Sequence, residues 1–301
     1  MSPAVDRLAD SVAVQRQQAP AARCVGPWQL CRLVGEGEFT RVYSARLAQL
    51  VNVAPGHAVK LLRVDKAGGR SLLEREARAA AAASHPNLVA VFAAQLQIEP
   101  AYLVMPLLSG ATLADRLAQG QQFSLPAGLA ILRQIAGALA ALAAKGYRHG
   151  DVKPGNMMVS PTGHATLIDL GFACQRDEEP GIDSRQWLGT PQYAAPERFR
   201  SRAGVDPQSD VYSLGITLYR LFAGRLPFNN ATLSELASQH VHGAMPDLGA
   251  ERPDLPRELI ALSRRLLSKD PLRRPTPAEL VEELVRWEID RFVDRGIVQR
   301  G

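Results

Sequence analysis

Cysteine is scarce in this chain. Cys24, Cys31 and Cys174 make an odd number, and no two stand at metal-ligand spacing. A disulfide framework and thiolate metal binding are thereby excluded as organising principles, and a reducing, cytoplasmic setting is expected. Runs of Lys or Arg are missing too: 35 basic residues against 30 acidic ones leave a formal net charge of +5 without a block of one sign. Nucleic acid is not the partner such a pattern indicates; a small anion or an acidic protein suits it equally. The N-terminus has no succession of basic, apolar and small-residue regions of the kind that forms a signal peptide. The most apolar stretch, residues 135–144, is flanked by Arg133 and Lys145 and falls short of a bilayer span. A soluble protein without a membrane span is expected.

What the chain does hold is enough apolar material, 46% of 301 residues, for the core of one or two domains. Residues 1–25 mix Ala, Gln, Arg and Pro without apolar periodicity and read as a flexible leader. From Trp28 the pattern turns strand-like and enters Gly-Glu-Gly-Glu-Phe-Thr-Arg-Val-Tyr at 35–43. Gly35 and Gly37 would let a hairpin backbone approach a polyphosphate closely, with Val42 covering a flat base. A tight hairpin without a ligand has the same local signature. Ala58 and Lys60 share one face of an alternating strand, and the helical segment 72–83 brings Glu74 and Glu76 as candidate partners for the lysine. Residues 101–108 read as a buried strand entering a connector, with a turn at Ser109-Gly110. A long helix follows over 127–144, with Leu129, Leu132, Ala136, Leu139 and Ala143 on one stripe.

That helix leads directly into Tyr-Arg-His-Gly-Asp-Val-Lys-Pro-Gly-Asn-Met-Met at 147–158, where polar groups crowd between two apolar segments. Asp151 can accept a proton from a hydroxyl, and Asn156 can offer an amide oxygen to a hard cation. Lys153 between them suits a transition state with negative charge spread over phosphoryl oxygens. A second carboxylate, Asp169, closes the apolar strand of Thr-Leu-Ile-Asp-Leu-Gly at 166–171. A solvated turn explains any one of these stretches alone. Their order along the chain does not fit that explanation.

Taken in that order over residues 28–290, these motifs resemble the serine/threonine protein kinases of the compact bacterial kind. The resemblance implies an α+β, two-lobed fold: a small, mainly β lobe of about 26–105, a hinge at 106–110 and a larger helical lobe from 111 to 301. It implies ATP with Mg²⁺, or alternatively Mn²⁺, in the cleft, and protein substrates bearing Ser or Thr, the chain itself among them. By resemblance, Gly35, Glu36 and Gly37 lie over the ATP phosphates and Val42 and Ala58 border the base. Met105 closes the back of that pocket, while Pro106 and Leu108 offer backbone hydrogen bonds. Lys60 contacts the α/β-phosphates and pairs with Glu76, a pair expected to be partly exposed and of modest stability. Asp151 is the catalytic base, Lys153 supports the transferring group, and Asn156 and Asp169 hold the metal. Thr190 contacts the catalytic loop, Asp210 binds its backbone, and Glu197 pairs with Arg274 in a buried structural ion pair. The tail through Trp287, Ile289 and Phe292 is expected to be core.

Three departures from the family pattern stand out. Thr40 replaces the third glycine of the phosphate loop, and Leu170 the aromatic after Asp169. More consequentially, Gly150 stands where most members carry the arginine that receives an activation-loop phosphate. Arg148 lies two residues earlier, where the family usually has a buried apolar side chain, and is not expected to substitute. Asp177, Glu178 and Glu179 read as a solvated acidic turn with no evident basic receptor. With Ser184 as the main free acceptor, activity is expected not to require phosphorylation of this segment. The His-Gly-Asp triplet also matches small-molecule kinases of the aminoglycoside and choline type, against which Lys153 and the 189–197 segment count. A pseudokinase binding module is the third reading, and an intact Lys60, Asp151 and Asp169 argue against it.

Overall fold

The structure is a computed structural model that describes residues 23–50, 52–63, 68–175, 178, 190–200, 206–229 and 232–298, with side chains to residue 290. The expectations attached to residues 1–22, to Asp177, Glu179, Ser184 and Gly189, and to the side chain of Phe292 lie outside the described residues.

The N-terminal lobe is an antiparallel sheet of β1 (Cys24–Val25), β2 (Trp28–Glu36), β3 (Thr40–Leu47), β4 (His57–Leu62), β5 (Ala93–Gln95) and β6 (Tyr102–Pro106) in the order β1-β2-β3-β4-β6-β5. Cys24 and Val25, placed in the leader by composition, thus belong to the folded body, and Val25 is buried against Leu30, Ala45 and Tyr102. The short strand escaped notice because two residues carry no periodicity. Helix α1 (Gly69–Ala82) lies on the sheet through Leu72, Leu73 and Ala79.

Beyond the hinge, β7 (Ala111–Thr112), β9 (Met157–Val159) and β10 (Ala165–Leu167) make a small sheet, and β8 (Tyr147–Arg148) pairs with β11 (Cys174–Gln175). Gly110 has a φ of 104°, and a Cβ there would overlap the Val159 carbonyl. Only glycine lets the hinge pass so close to β9. The rest is helical: α2 (Leu113–Ala118), α3 (Leu125–Ala143), α4 (Pro196–Arg200), α5 (Gln208–Ala223), α6 (Leu233–His242), α7 (Leu248–Glu251), α8 (Arg257–Leu266) and α9 (Pro277–Val298). Thr112 caps α2, Ser124 caps α3, and Thr232 with Glu235 forms a capping box on α6.

The apolar run in α3 extends further than expected, and its 19 residues are long and apolar enough to cross a bilayer by composition alone. It is a core helix here: Leu129, Leu132, Ile135, Ala136 and Leu139 are buried, and Arg133 pairs with Glu288 of α9 at 2.7 Å. Trp287 packs on the core as expected, whereas Ile289 is 56% exposed. The two are about 200° apart on the helix, so one apolar stripe cannot take both.

His240 on α6 is fully buried among Phe199, Tyr212 and Phe228. Its Nδ1 lies 3.0 Å from the Tyr212 hydroxyl, and Lys269 donates to its backbone carbonyl at 2.7 Å. Burial, then the Lys269 charge, pushes the imidazole down to about 4 from 6.5. The unfolded chain therefore takes up a proton that the folded one refuses. The resulting stability is fully present above pH 6.5 and is lost as pH falls toward 4. Between pH 7 and pH 5 this linkage costs about 2 kcal/mol. Urea titrations at the two pH values should show that loss in the wild type and a flatter response in His240→Gln.

Candidate active site

Segments of both lobes meet in the cleft between them. β4 contributes Lys60, whose register opposite Val42 on β3 and Leu103 on β6 places it mid-sheet. Its Nζ lies 2.5 Å from Glu76 Oε2 on α1 and 2.7 Å from Asp169 Oδ1. Glu76 rather than Glu74 is thus the partner. The pair is buried and not partly exposed as expected, with Lys60 at 7% and Glu76 at 1% exposure. α1 packs against β4, β6 and the Leu170–Phe172 turn and so encloses the pair, which periodicity in either element alone does not reveal. Burial opposes the charge on Lys60, but the Asp169 and Glu76 carboxylates outweigh it and hold the ammonium above its ordinary range. Burial would raise Asp169 as well; Lys60 at hydrogen-bond distance brings it below the usual carboxylate value.

The loop of residues 149–156 is fastened from below. Asp210, at the start of α5, accepts the backbone N–H groups of His149 at 2.6 Å and Gly150 at 2.9 Å. His149 Nδ1 accepts the Asp151 N–H at 3.2 Å, so its Nε2 carries the proton toward the Ile168 carbonyl at 3.1 Å. Asp151 is almost wholly buried, and three donors hold its carboxylate: the Thr190 N–H at 3.0 Å, Asn156 Nδ2 at 3.0 Å and Lys153 Nζ at 2.7 Å. Lys153 also reaches the Thr190 hydroxyl at 2.5 Å. With Nδ2 of Asn156 committed to Asp151, the amide oxygen is the one group this side chain has left to offer a ligand. Asp169 adopts a φ of 67° and follows β10 with its side chain 37% exposed. An amide oxygen and a carboxylate are hard donors, so these residues fit a divalent cation of the Mg²⁺ kind.

Lys60, Glu76, Asp151, Lys153, Asp169 and Thr190 line one cavity of about 280 Å³ with Gly37 and Thr40. A Cβ on Gly35 or Gly37 would meet only ordinary contacts at 3.7 Å. No described neighbour therefore demands glycine there, and the open face toward the cleft is what the two residues supply. Glu36 is turned away from the cavity: its carboxylate meets Arg41 at 2.8 Å and Arg63 at 3.1 Å on the exposed sheet face. At the far end, Ala58 pairs in register with Met105, and His57 with Pro106. Pro106 has no N–H and offers its carbonyl alone. The Leu107 N–H is taken by Gly56, so the amide next available is that of Leu108. A larger groove of about 610 Å³ between α8 and α9 alternates Arg and Glu, including Arg265, Glu279, Glu282, Glu283 and Arg286, and carries no comparable chemistry.

Further out, Arg274 is fully buried and forks onto Glu197 at 2.7 and 2.9 Å. Its guanidinium also lies 4.9 Å from the Tyr212 ring centre.

Gly150 is tightly enclosed, and one expectation, that of an acidic turn without a receptor, is corrected nearby. The residue has a φ of 82°, and a Cβ on it would come 2.6 Å from the Phe172 carbonyl and 3.0 Å from Arg148 Nη1. The guanidinium of Arg148, which is buried, thus lies where a side chain at 150 would begin, and Arg198 donates to the Gly150 carbonyl at 2.6 Å. Arg148 thus brings a buried guanidinium beside Gly150. Likewise the acidic turn has a basic receptor: Glu178 Oε1 lies 3.1 Å from Arg78 Nη2 and 3.9 Å from Arg75 Nε on α1. Sequence reasoning missed Arg75, Arg78 and Arg198. The one available signal was a pair of arginines flanking Glu76 on its own helix.

A family model described as protein kinase domain matches residues 28–285. Among curated proteins, the chain is 28% identical over 271 residues to the serine/threonine-protein kinase PrkC of Bacillus subtilis, covering 89% of this chain and 41% of that protein. It is 36% identical over 273 residues to the serine/threonine-protein kinase pkn2 of Myxococcus xanthus, covering 86% and 32%. It is 35% identical over 260 residues to the serine/threonine-protein kinase PknA of Mycobacterium tuberculosis, covering 83% and 58%. The chain therefore spans between about a third and three-fifths of the length of these relatives.

Proposed function

The chain belongs to the protein kinase domain family, and from that premise we propose that it transfers the γ-phosphoryl group of MgATP to Ser and Thr hydroxyls of proteins, itself included. The observation that carries the reading is the Asp151 carboxylate, buried and fixed by three donors beside Lys153 and across the cavity from Lys60 and Asp169.

Asp151 accepts the proton of the incoming hydroxyl, and its fixed orientation removes the cost of aligning it at the moment of transfer. Lys153 lies against the same carboxylate and supplies positive charge where the phosphoryl oxygens gain negative charge. Lys60 holds the nucleotide phosphates, and Glu76 keeps its ammonium in place. Asn156 and Asp169 would hold a divalent cation, which would offset negative charge on the phosphate groups. The carbonyl of Pro106 and the N–H of Leu108 orient the base.

The Lys153–Thr190 contact at 2.5 Å ties the catalytic loop to the segment that shapes a protein substrate site, which favours protein over metabolite acceptors. Exposed free thiols at Cys24 and Cys31 suit a reducing compartment supplied with ATP, and a cytoplasmic signalling role is proposed accordingly. The test offers the purified chain labelled ATP with a generic protein mixture and, separately, with aminoglycosides, choline and other small alcohols. Label on protein Ser and Thr is expected; label on a small molecule alone would overturn the reading.

A further inference from the structure

Helix α1 must hold Glu76 against Lys60, yet little in its own sequence fixes it. Gly68 at its N-cap has no side chain to offer, the first turn carries no acidic residue and the last turn no basic one. Its C-terminal end is anchored to the helical lobe: Leu88 bridges Leu167 of β10, and Asn87 donates to Gln134 of α3 and to the Ala165 carbonyl. Near its start Arg70 pairs with Glu99, and the Leu170–Phe172 turn packs against it; a further tether lies mid-helix, on the face presented by Arg75 and Arg78. These two, three residues apart and so on one side of α1, both approach the Glu178 carboxylate.

Glu178 is itself held to β11. Its N–H donates to the Gln175 carbonyl at 3.1 Å, and its Oε2 accepts the Gln175 N–H at 3.4 Å. β11 pairs with β8, Cys174 opposite Arg148, and β8 runs directly into the His149–Asp151 loop. A continuous set of contacts thus joins the catalytic loop to α1 through a single carboxylate.

We propose that Glu178 is a positioning residue for phosphoryl transfer: a resident anion, lodged against Arg75 and Arg78, that holds α1 where Glu76 meets Lys60. The inference rests on the kinase reading and adds to it how the chain sets its active geometry without a phosphate added to this segment. Arg78 makes the hydrogen bond at 3.1 Å but is 57% exposed, so its share is screened by solvent; Arg75 is 6% exposed and stands at 3.9 Å. Such a tether contributes modestly to global stability. Its effect falls on the population of the assembled site.

The experiment compares phosphatase-treated wild type with Glu178→Gln, which keeps the shape and removes the charge, with Arg78→Glu, and with Glu178→Arg combined with Arg78→Glu. Readouts are kcat and KM for ATP, thermal midpoint, and amide hydrogen exchange across α1. Glu178→Gln is expected to lower kcat roughly tenfold with KM for ATP within about twofold. It should speed exchange in α1 and leave the thermal midpoint nearly unchanged. The double reversal should recover part of the rate lost in Arg78→Glu. Unchanged kcat and exchange in Glu178→Gln, or a loss of rate that merely tracks a fall in thermal midpoint, would overturn the proposal. Exchange reads the tether whether or not transfer occurs. A wild type that labels nothing while α1 still loosens in Glu178→Gln would count against the kinase reading and not against the tether.

Discussion

Replacing Asp151 by Asn should lower single-turnover transfer by about 10²–10⁴-fold while nucleotide affinity stays within about twofold. The size follows from the chemistry: the amide has no basicity to take the hydroxyl proton at the transition state. The geometry adds a local cost. Thr190 N–H points at one carboxylate oxygen, and Asn156 Nδ2 and Lys153 Nζ point at the other. An amide has one oxygen, so in either orientation of the substituted side chain at least one donor faces an NH₂ group. Nucleotide binding should be spared, because the proposed contacts to phosphates and base come from Lys60, the glycine loop and the hinge. Asp169→Asn serves as the contrast, since it removes the proposed metal ligand and should weaken MgATP binding itself. Nucleotide titration alongside rapid-quench labelling separates the two, and an Asp151→Asn protein that retains turnover contradicts the assignment.

The largest expected effect on stability comes from Arg274→Ala, at about 3–5 kcal/mol. Arg274 is fully buried, forks onto Glu197, donates to the Ser268 carbonyl at 2.8 Å and the Gln208 carbonyl at 3.1 Å, and lies against Tyr212. Truncation leaves Glu197, only 22% exposed, without its counter-charge, and opens a gap beneath α5. Arg274→Met with Glu197→Leu should recover much of the loss, because removing both charges also removes the cost of burying them. Thermal or urea unfolding of the three proteins measures this. A loss below about 1 kcal/mol in Arg274→Ala would place the pair with exposed ion pairs of little energetic weight.

These effects differ in how readily the sequence announces them. Asp151, Lys153 and Asn156 lie within six residues on one loop, and their chemistry is legible because spacing along the chain is nearly spacing in space. α3 was legible from its apolar stripe, since Leu129, Leu132, Ala136 and Leu139 bury one continuous face. The burial of Lys60 and Glu76 was not, because it depends on α1 packing against β4, β6 and the Leu170–Phe172 turn. Helical periodicity likewise could not choose between Glu74 and Glu76 until the sheet was beneath them.

Gly150 was legible only in part for a related reason. The missing side chain was visible, but the placing of the Arg148 guanidinium beside it depends on the positive φ at 150 and on the pairing of β8 with β11, some 26 residues further along the chain. The acidic turn near 178 looked solvated because its receptors, Arg75 and Arg78, lie about a hundred residues earlier. Contacts at that separation leave no local pattern.

The central claim is that one carboxylate, Asp151, directs the phosphoryl group of ATP to a protein hydroxyl. The most direct measurement is mass spectrometry of a protein substrate after incubation with ATP labelled by heavy oxygen in the γ-phosphoryl group, using the wild type and Asp151→Asn side by side. The expected result is heavy phosphate on Ser and Thr with the wild type, reduced to background with the variant. Equal labelling by the two proteins, or label carried only by small-molecule products, would contradict the account.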